Sequence, residues 1–173
     1  AQYSQGSQSV RLTSTGITTQ AGYDTVRGPA LVSQESLSMK VGDTVSFDWR
    51  AQGGSDAYDV YAYLLNVDTG ETVEILNDTG AAAGATTNWQ SENVTIAKDG
   101  TYKFVFVGGT FDASGGKAAG AQLFVDNIEA TTTITTYEFA LDTSSLSNVD
   151  QSIGTLLGHR AEFGATINRI THA

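Results

Sequence analysis

Three aspartates in or beside glycine-rich stretches, Asp56, Asp59 and Asp112, are the side chains best placed to do chemistry. Carboxylates are hard oxygen donors, and several at one edge of a fold can hold calcium and, through it, sugar hydroxyls. Solvated loop carboxylates are the commoner outcome for acids in such stretches. Rings on which a sugar can stack are available at Tyr58, Tyr61, Tyr63 and Trp89. Tyr61 and Tyr63 are two apart and share a face of an extended segment. That segment is apolar on both faces, however, so core packing is the expected role of its tyrosines. Other chemistries lack their parts. There is no cysteine, which excludes disulfides, thiolate zinc sites and cysteine nucleophiles. His159 and His172 do not have the i, i+4 spacing of a helical metal pair. No G-x-S-x-G elbow supports a serine nucleophile. Gly108-Gly109 and Gly115-Gly116 are not followed by the Lys-Ser/Thr of a phosphate loop and read as loop glycines. The chain is therefore expected not to be an enzyme.

The elements that must carry these residues read as β-strands. Over 44–50, Val45, Phe47 and Trp49 alternate with Ser46, Asp48 and Arg50, which predicts a half-buried strand. Residues 58–67 read as a central strand, and 72–76, 89–96, 102–107 and 123–129 as further strands. Turn signals stand between them at Asp68-Thr69-Gly70 and Lys98-Asp99-Gly100. Gly28-Pro29 reads as a turn and 108–121 as a long loop. Strands at this spacing predict an antiparallel jelly-roll-like β-sandwich over 10–130. A flexible segment at 1–9 precedes it and a threonine-rich connector at 131–145 follows.

Residues 146–173 break this pattern. Leu146, Val149, Ile153, Leu156, Arg160, Phe163, Ile167 and Ile170 recur three and four apart, a heptad seam. The expected fold class is thus mainly β, a sandwich followed by a long C-terminal amphipathic α-helix. Val149, Ile153, Leu156, Phe163, Ile167 and Ile170 would pack against a partner helix, with Arg160, Asn168 and Arg169 making polar contacts. The alternative is a helix lying across the sandwich. The pairs Arg160-Ala161, Gly164-Ala165 and Asn168-Arg169 on this seam resemble the C-terminal helical segment of bacterial flagellins, over residues 137–173. That resemblance implies a structural subunit of an extracellular filament, with the sandwich facing outward and other copies, or a helix of the parent chain, as partners. The chain begins at Ala1 without the family's N-terminal helix, so it is read as a piece of a longer protein.

The closing strand Leu123-Phe124-Val125-Asp126-Asn127-Ile128 is similar to the last strand of jelly-roll carbohydrate-binding modules. This second resemblance implies a structural calcium ligated by Asp126, with Asp24 and Asp48 as further candidates. Asp126 as an ordinary turn-proximal acid is the alternative. It also implies a second function, calcium-dependent glycan binding in an adhesin or secreted protein. The net charge of −10 argues against nucleic acid, whose phosphates demand basic surface. No apolar run is long enough to insert in a bilayer as a helix.

Overall fold

A computed structural model of the chain describes residues 3–6, 8–15 and 24–132, all within the unit Ala1–Ile134. Nine strands run through them: β1 (Val10–Thr13), β2 (Thr25–Val32), β3 (Leu37–Met39), β4 (Thr44–Gln52), β5 (Ala57–Asn66), β6 (Thr72–Thr79), β7 (Gln90–Thr95), β8 (Gly100–Phe111) and β9 (Gln122–Thr131). They form two antiparallel sheets. One has the order β1-β9-β4-β7. The other has the order β2-β8-β5-β6, and β3 pairs with β8 as its fifth strand. Neighbours in each sheet are mostly distant in sequence, as in a jelly roll.

The expected class needs correction. The described residues are all β and contain no helix. Strand pairing accounts for every element there, because the apolar faces of the two sheets bury each other. The seam Val149, Ile153, Leu156, Arg160, Phe163, Ile167, Asn168, Arg169 and Ile170, on which the helix was placed, lies outside the described residues.

The core follows from alternation. On β4, Val45, Phe47, Trp49 and Ala51 point inward, with Ser46, Asp48 and Arg50 on the other face. Val60, Ala62 and Leu64 of β5 and Phe104 and Phe106 of β8 meet them from the opposite sheet. Phe47 and Phe106 touch edge to face, with centroids 5.1 Å apart. Each such fully buried ring stabilises the fold by about 1.5–3 kcal/mol.

Two segments read as irregular are strands. Gly28-Pro29 sits inside β2, where a bulge between Arg27 and Ala30 absorbs the proline. Gly108 and Gly109 lie in β8 rather than a loop. A Cβ on Gly109 would come within 2.5 Å of the Asp59 carbonyl oxygen, so close backbone approach, not a turn, requires glycine there.

Candidate functional site

The outer face of the five-stranded sheet carries a group of aromatic and charged side chains. Strand parity builds it. On β5 the even positions from Tyr58 to Leu64 fill the core, which turns Asp59, Tyr61, Tyr63 and Leu65 outward. The expectation that Tyr61 and Tyr63 are core residues is thereby corrected: both are half-buried on the outer face. Their rings are 5.7 Å apart and tilted at 45°. Neighbouring strands complete the face through register. Asp59 pairs with Thr79, Tyr61 with Asn77 and Val107, and Tyr63 with Glu74 and Val105. On the far side of β8, Arg27 pairs with Gly109, which has no side chain to obstruct it.

Arg27 ties this face together. Its Nε donates to Asp59 Oδ2 at 2.7 Å, and its guanidinium lies 5.1 Å from the Tyr61 ring centre. The Thr79 hydroxyl donates to Asp59 Oδ1 at 2.9 Å. The Asp59 side chain is only 5% exposed whereas that of Arg27 is 50% exposed, so a nearly dry carboxylate is neutralised by a cation that still reaches water. The pair and the Asp59 hydrogen bond hold the Arg27 guanidinium above its ordinary range. Burial pushes the Tyr61 phenol up, Glu74 adds to the effect, and Arg27 opposes it. Asn77 Nδ2 in turn donates to Glu74 Oε2 at 3.2 Å. The result is a pair of rings framed by an Arg-Asp-Thr group at one end and a Glu-Asn pair at the other.

The three loop acids do not form one group. Asp56 and Asp112 continue the β5–β8 register on the inner side and are fully buried, whereas Asp59 points outward. The Asp56 carboxylate accepts the Ser114 N–H and hydroxyl at 3.1 and 2.8 Å and the Ala57 N–H at 2.9 Å. Burial pushes its pKa up, but these hydrogen bonds outweigh burial and its net direction is downward. Asp112 accepts the N–H groups of Gly115 and Gly116 at 2.6 and 3.1 Å. These two acids thus brace the 112–116 turn. Nearby in the same interior, the hydroxyls of Ser14 and Thr110 are buried without a hydrogen-bond partner among the described residues.

The other three acids are divided as well. Asp48 and Asp126 face each other across β4 and β9, while Asp24, whose side chain is exposed, lies beside Asp112, its backbone carbonyl accepting the Asp112 N–H at 2.9 Å. Ser4 bridges the facing pair: its hydroxyl is 2.7 Å from Asp48 Oδ2 and 3.1 Å from Asp126 Oδ2. The N–H groups of Ser4 and Gln5 also converge on Asp126 Oδ2, at 2.9 and 3.1 Å. A calcium ion would have to stand where these positively polarised hydrogens stand, so the surroundings of Asp126 do not fit one. Among the described residues, no three acids, histidines or cysteines come together as a metal cage.

No protein-family model and no curated protein matches the chain. Several solved structures do. A carbohydrate-binding module, CBM28, specific for non-crystalline cellulose overlaps 69% of this chain and 83% of its own, at 15% identity and a TM-score of 0.35. A family 29 carbohydrate-binding module mutant complexed with cellulohexaose overlaps 69% of this chain and 93% of its own, at 16% identity and a TM-score of 0.35. A second mutant of that module, complexed with mannohexaose, overlaps 73% and 94% respectively, at 16% identity and a TM-score of 0.34. No flagellin is among these structures, and the residues that carry that resemblance lie outside the described ones.

Proposed function

We propose that the chain is a glycan-binding module and that the outer face of the five-stranded sheet is where the glycan lies. The observation that carries this reading is the pair Tyr61 and Tyr63, half-buried side by side on a sheet face where Arg27, Asp59, Glu74 and Asn77 frame them. A pyranose ring has an apolar face of C–H groups and a rim of hydroxyls. Aromatic rings take the first, and planar amide, carboxylate and guanidinium groups take the second. Because Arg27 and Asp59 fix each other and Arg27 holds one side of the Tyr61 ring, the face is organised before a ligand arrives, which reduces the ordering cost of binding. The role is binding rather than chemistry, on an extracellular or cell-surface protein.

Affinity electrophoresis tests this reading. The 173-residue chain should be retarded in gels containing a soluble neutral glucan or mannan, and Tyr61→Ala and Tyr63→Ala should each abolish most of the retardation. Migration of the parent chain unchanged by every such polysaccharide would overturn it.

A further inference from the structure

The face that carries Tyr61 and Tyr63 continues beyond them. Leu65, the next residue of the same parity on β5, is half-buried on that face. Its register partners are Lys103 on β8 and Thr72 on β6. Lys103 lies between the core residues Tyr102 and Phe104, so its side chain is on the outer face too. Lys40 and Lys98 are each paired with an acid, at 3.0 and 2.7 Å. Lys103 is half-buried as well, yet it has no hydrogen bond or ion pair among the described residues. An ammonium group with three uncommitted donors therefore stands beside the continuation of the tyrosine pair.

A sugar chain on the tyrosines has two courses, across the strands or along β5. Across the strands it meets Val105 and Val32 in the row of Tyr63, and Val107 and Ala30 in the row of Tyr61. Those side chains offer no donor or acceptor to a rim of hydroxyls. Along β5, polar groups stand at both ends. Arg27, Asp59 and Thr79 hold the end before Tyr61, and the guanidinium, 5.1 Å from the Tyr61 ring centre, closes the strip there. At the other end Leu65 continues the apolar surface, with Lys103 and Thr72 on either side of it. The strand covers about 20 Å between Asp59 and Leu65, whereas the two rings are only 5.7 Å apart. A short sugar fills the rings, and only a longer one reaches Lys103.

We infer that the bound glycan runs along β5, starting against Arg27 and leaving over Leu65, and that Lys103 donates to its hydroxyls at the far end. This deepens the glycan-binding reading and rests on it. Amide-resonance titrations of the full chain with neutral gluco- and manno-oligosaccharides of two and of six sugars test it. Lys103→Met removes the ammonium group and keeps most of the stem. It should weaken the hexasaccharide about tenfold, as the loss of a charged donor does, and leave the disaccharide unchanged. Lys103→Arg keeps donors at that position and should retain most of the hexasaccharide affinity. Lys117→Met, at an exposed loop position, makes the same change of charge and should alter neither length. An unchanged hexasaccharide affinity in Lys103→Met would overturn the inference. So would an equal loss at both lengths, which marks a general disturbance of the face, or a matching loss in Lys117→Met, which marks diffuse charge. Tyr61→Ala separates the two ideas, since it should weaken both lengths. A loss in Tyr61→Ala with none in Lys103→Met would overturn the path along β5 alone, and failure of both lengths to bind the parent chain would overturn the glycan-binding reading with it.

Discussion

Replacing Arg27 with Met removes the guanidinium that organises the proposed binding face while keeping most of the apolar stem. Asp59 Oδ2 then loses its donor at 2.7 Å and keeps only the Thr79 hydroxyl on its other oxygen. Breaking a fully buried ion pair costs about 3–5 kcal/mol. Here the Arg27 side chain is half exposed, so water enters where it was and the loss falls to about 1–2 kcal/mol. The contact with the Tyr61 ring adds about 0.5–1 kcal/mol. Arg27→Met should therefore destabilise the chain by about 2 kcal/mol, or lower Tm by about 5 °C. Asp59→Asn should cost less, because Arg27 is left facing solvent. In the double variant Arg27→Met/Asp59→Asn, at least about 1 kcal/mol of the combined loss should be recovered, since no unpaired carboxylate remains. Urea unfolding followed by tryptophan fluorescence measures all four proteins, because buried Trp49 reports on the core. Single losses that add within about 0.5 kcal/mol would refute the coupling, and with it the claim that this pair organises the face.

Three further outcomes follow from the same geometry. Thr110→Val replaces a hydroxyl buried without a partner among the described residues with an isosteric methyl and should raise stability by about 1 kcal/mol in urea titration; a loss would show that the hydroxyl has a partner. The Asp126 carboxyl is pushed up by burial, but the N–H groups of Gln5, Ser4 and Asn127 and the Ser4 hydroxyl outweigh this and hold it below the usual carboxylate range. Its stabilisation is therefore present above the unfolded value of about 4 and lost as pH falls through the lower folded value. Asp126→Asn should be less stable at neutral pH and lose less stability on acidification below about pH 4, as thermal melts across that range will show. Because hydrogen-bond donors already crowd Asp126, millimolar calcium followed by a chelator should leave Tm unchanged in calorimetry, and a calcium-dependent rise would contradict that assignment of the donors.

The sandwich was legible because β4 alternates without interruption, with Val45, Phe47 and Trp49 against Ser46, Asp48 and Arg50. Tyr61 and Tyr63 read as core residues because β5 lies inside its sheet and is apolar on both faces. One signal was available: Asp59 shares their parity, and an acid on one register of a strand marks that register as the wetter face. Arg27 gives no signal in the sequence, since its neighbours Gly28 and Pro29 read as a turn and only the β2 bulge accommodates them in a strand. Gly108 and Gly109 read as a loop by composition, whereas contact with the Asp59 and Val26 carbonyls is what requires Gly109. The split of Asp56 and Asp112 from Asp59 follows from parity, which a loop assignment hides. The meeting of Asp48 with Asp126 depends on the register between two strands far apart in sequence, and no local pattern encodes it.

The central claim is where the glycan lies. It is tested most directly by following backbone amide resonances of the full chain while a neutral gluco- or manno-hexasaccharide is titrated in. The account predicts that the largest shifts fall on Arg27, Tyr61, Tyr63 and Val107 of the outer face and on Glu74 and Asn77 at its edge, with Asp48, Asp126 and their neighbours unmoved. Shifts confined to the opposite sheet or to the 112–116 turn, with β5 silent, would contradict it.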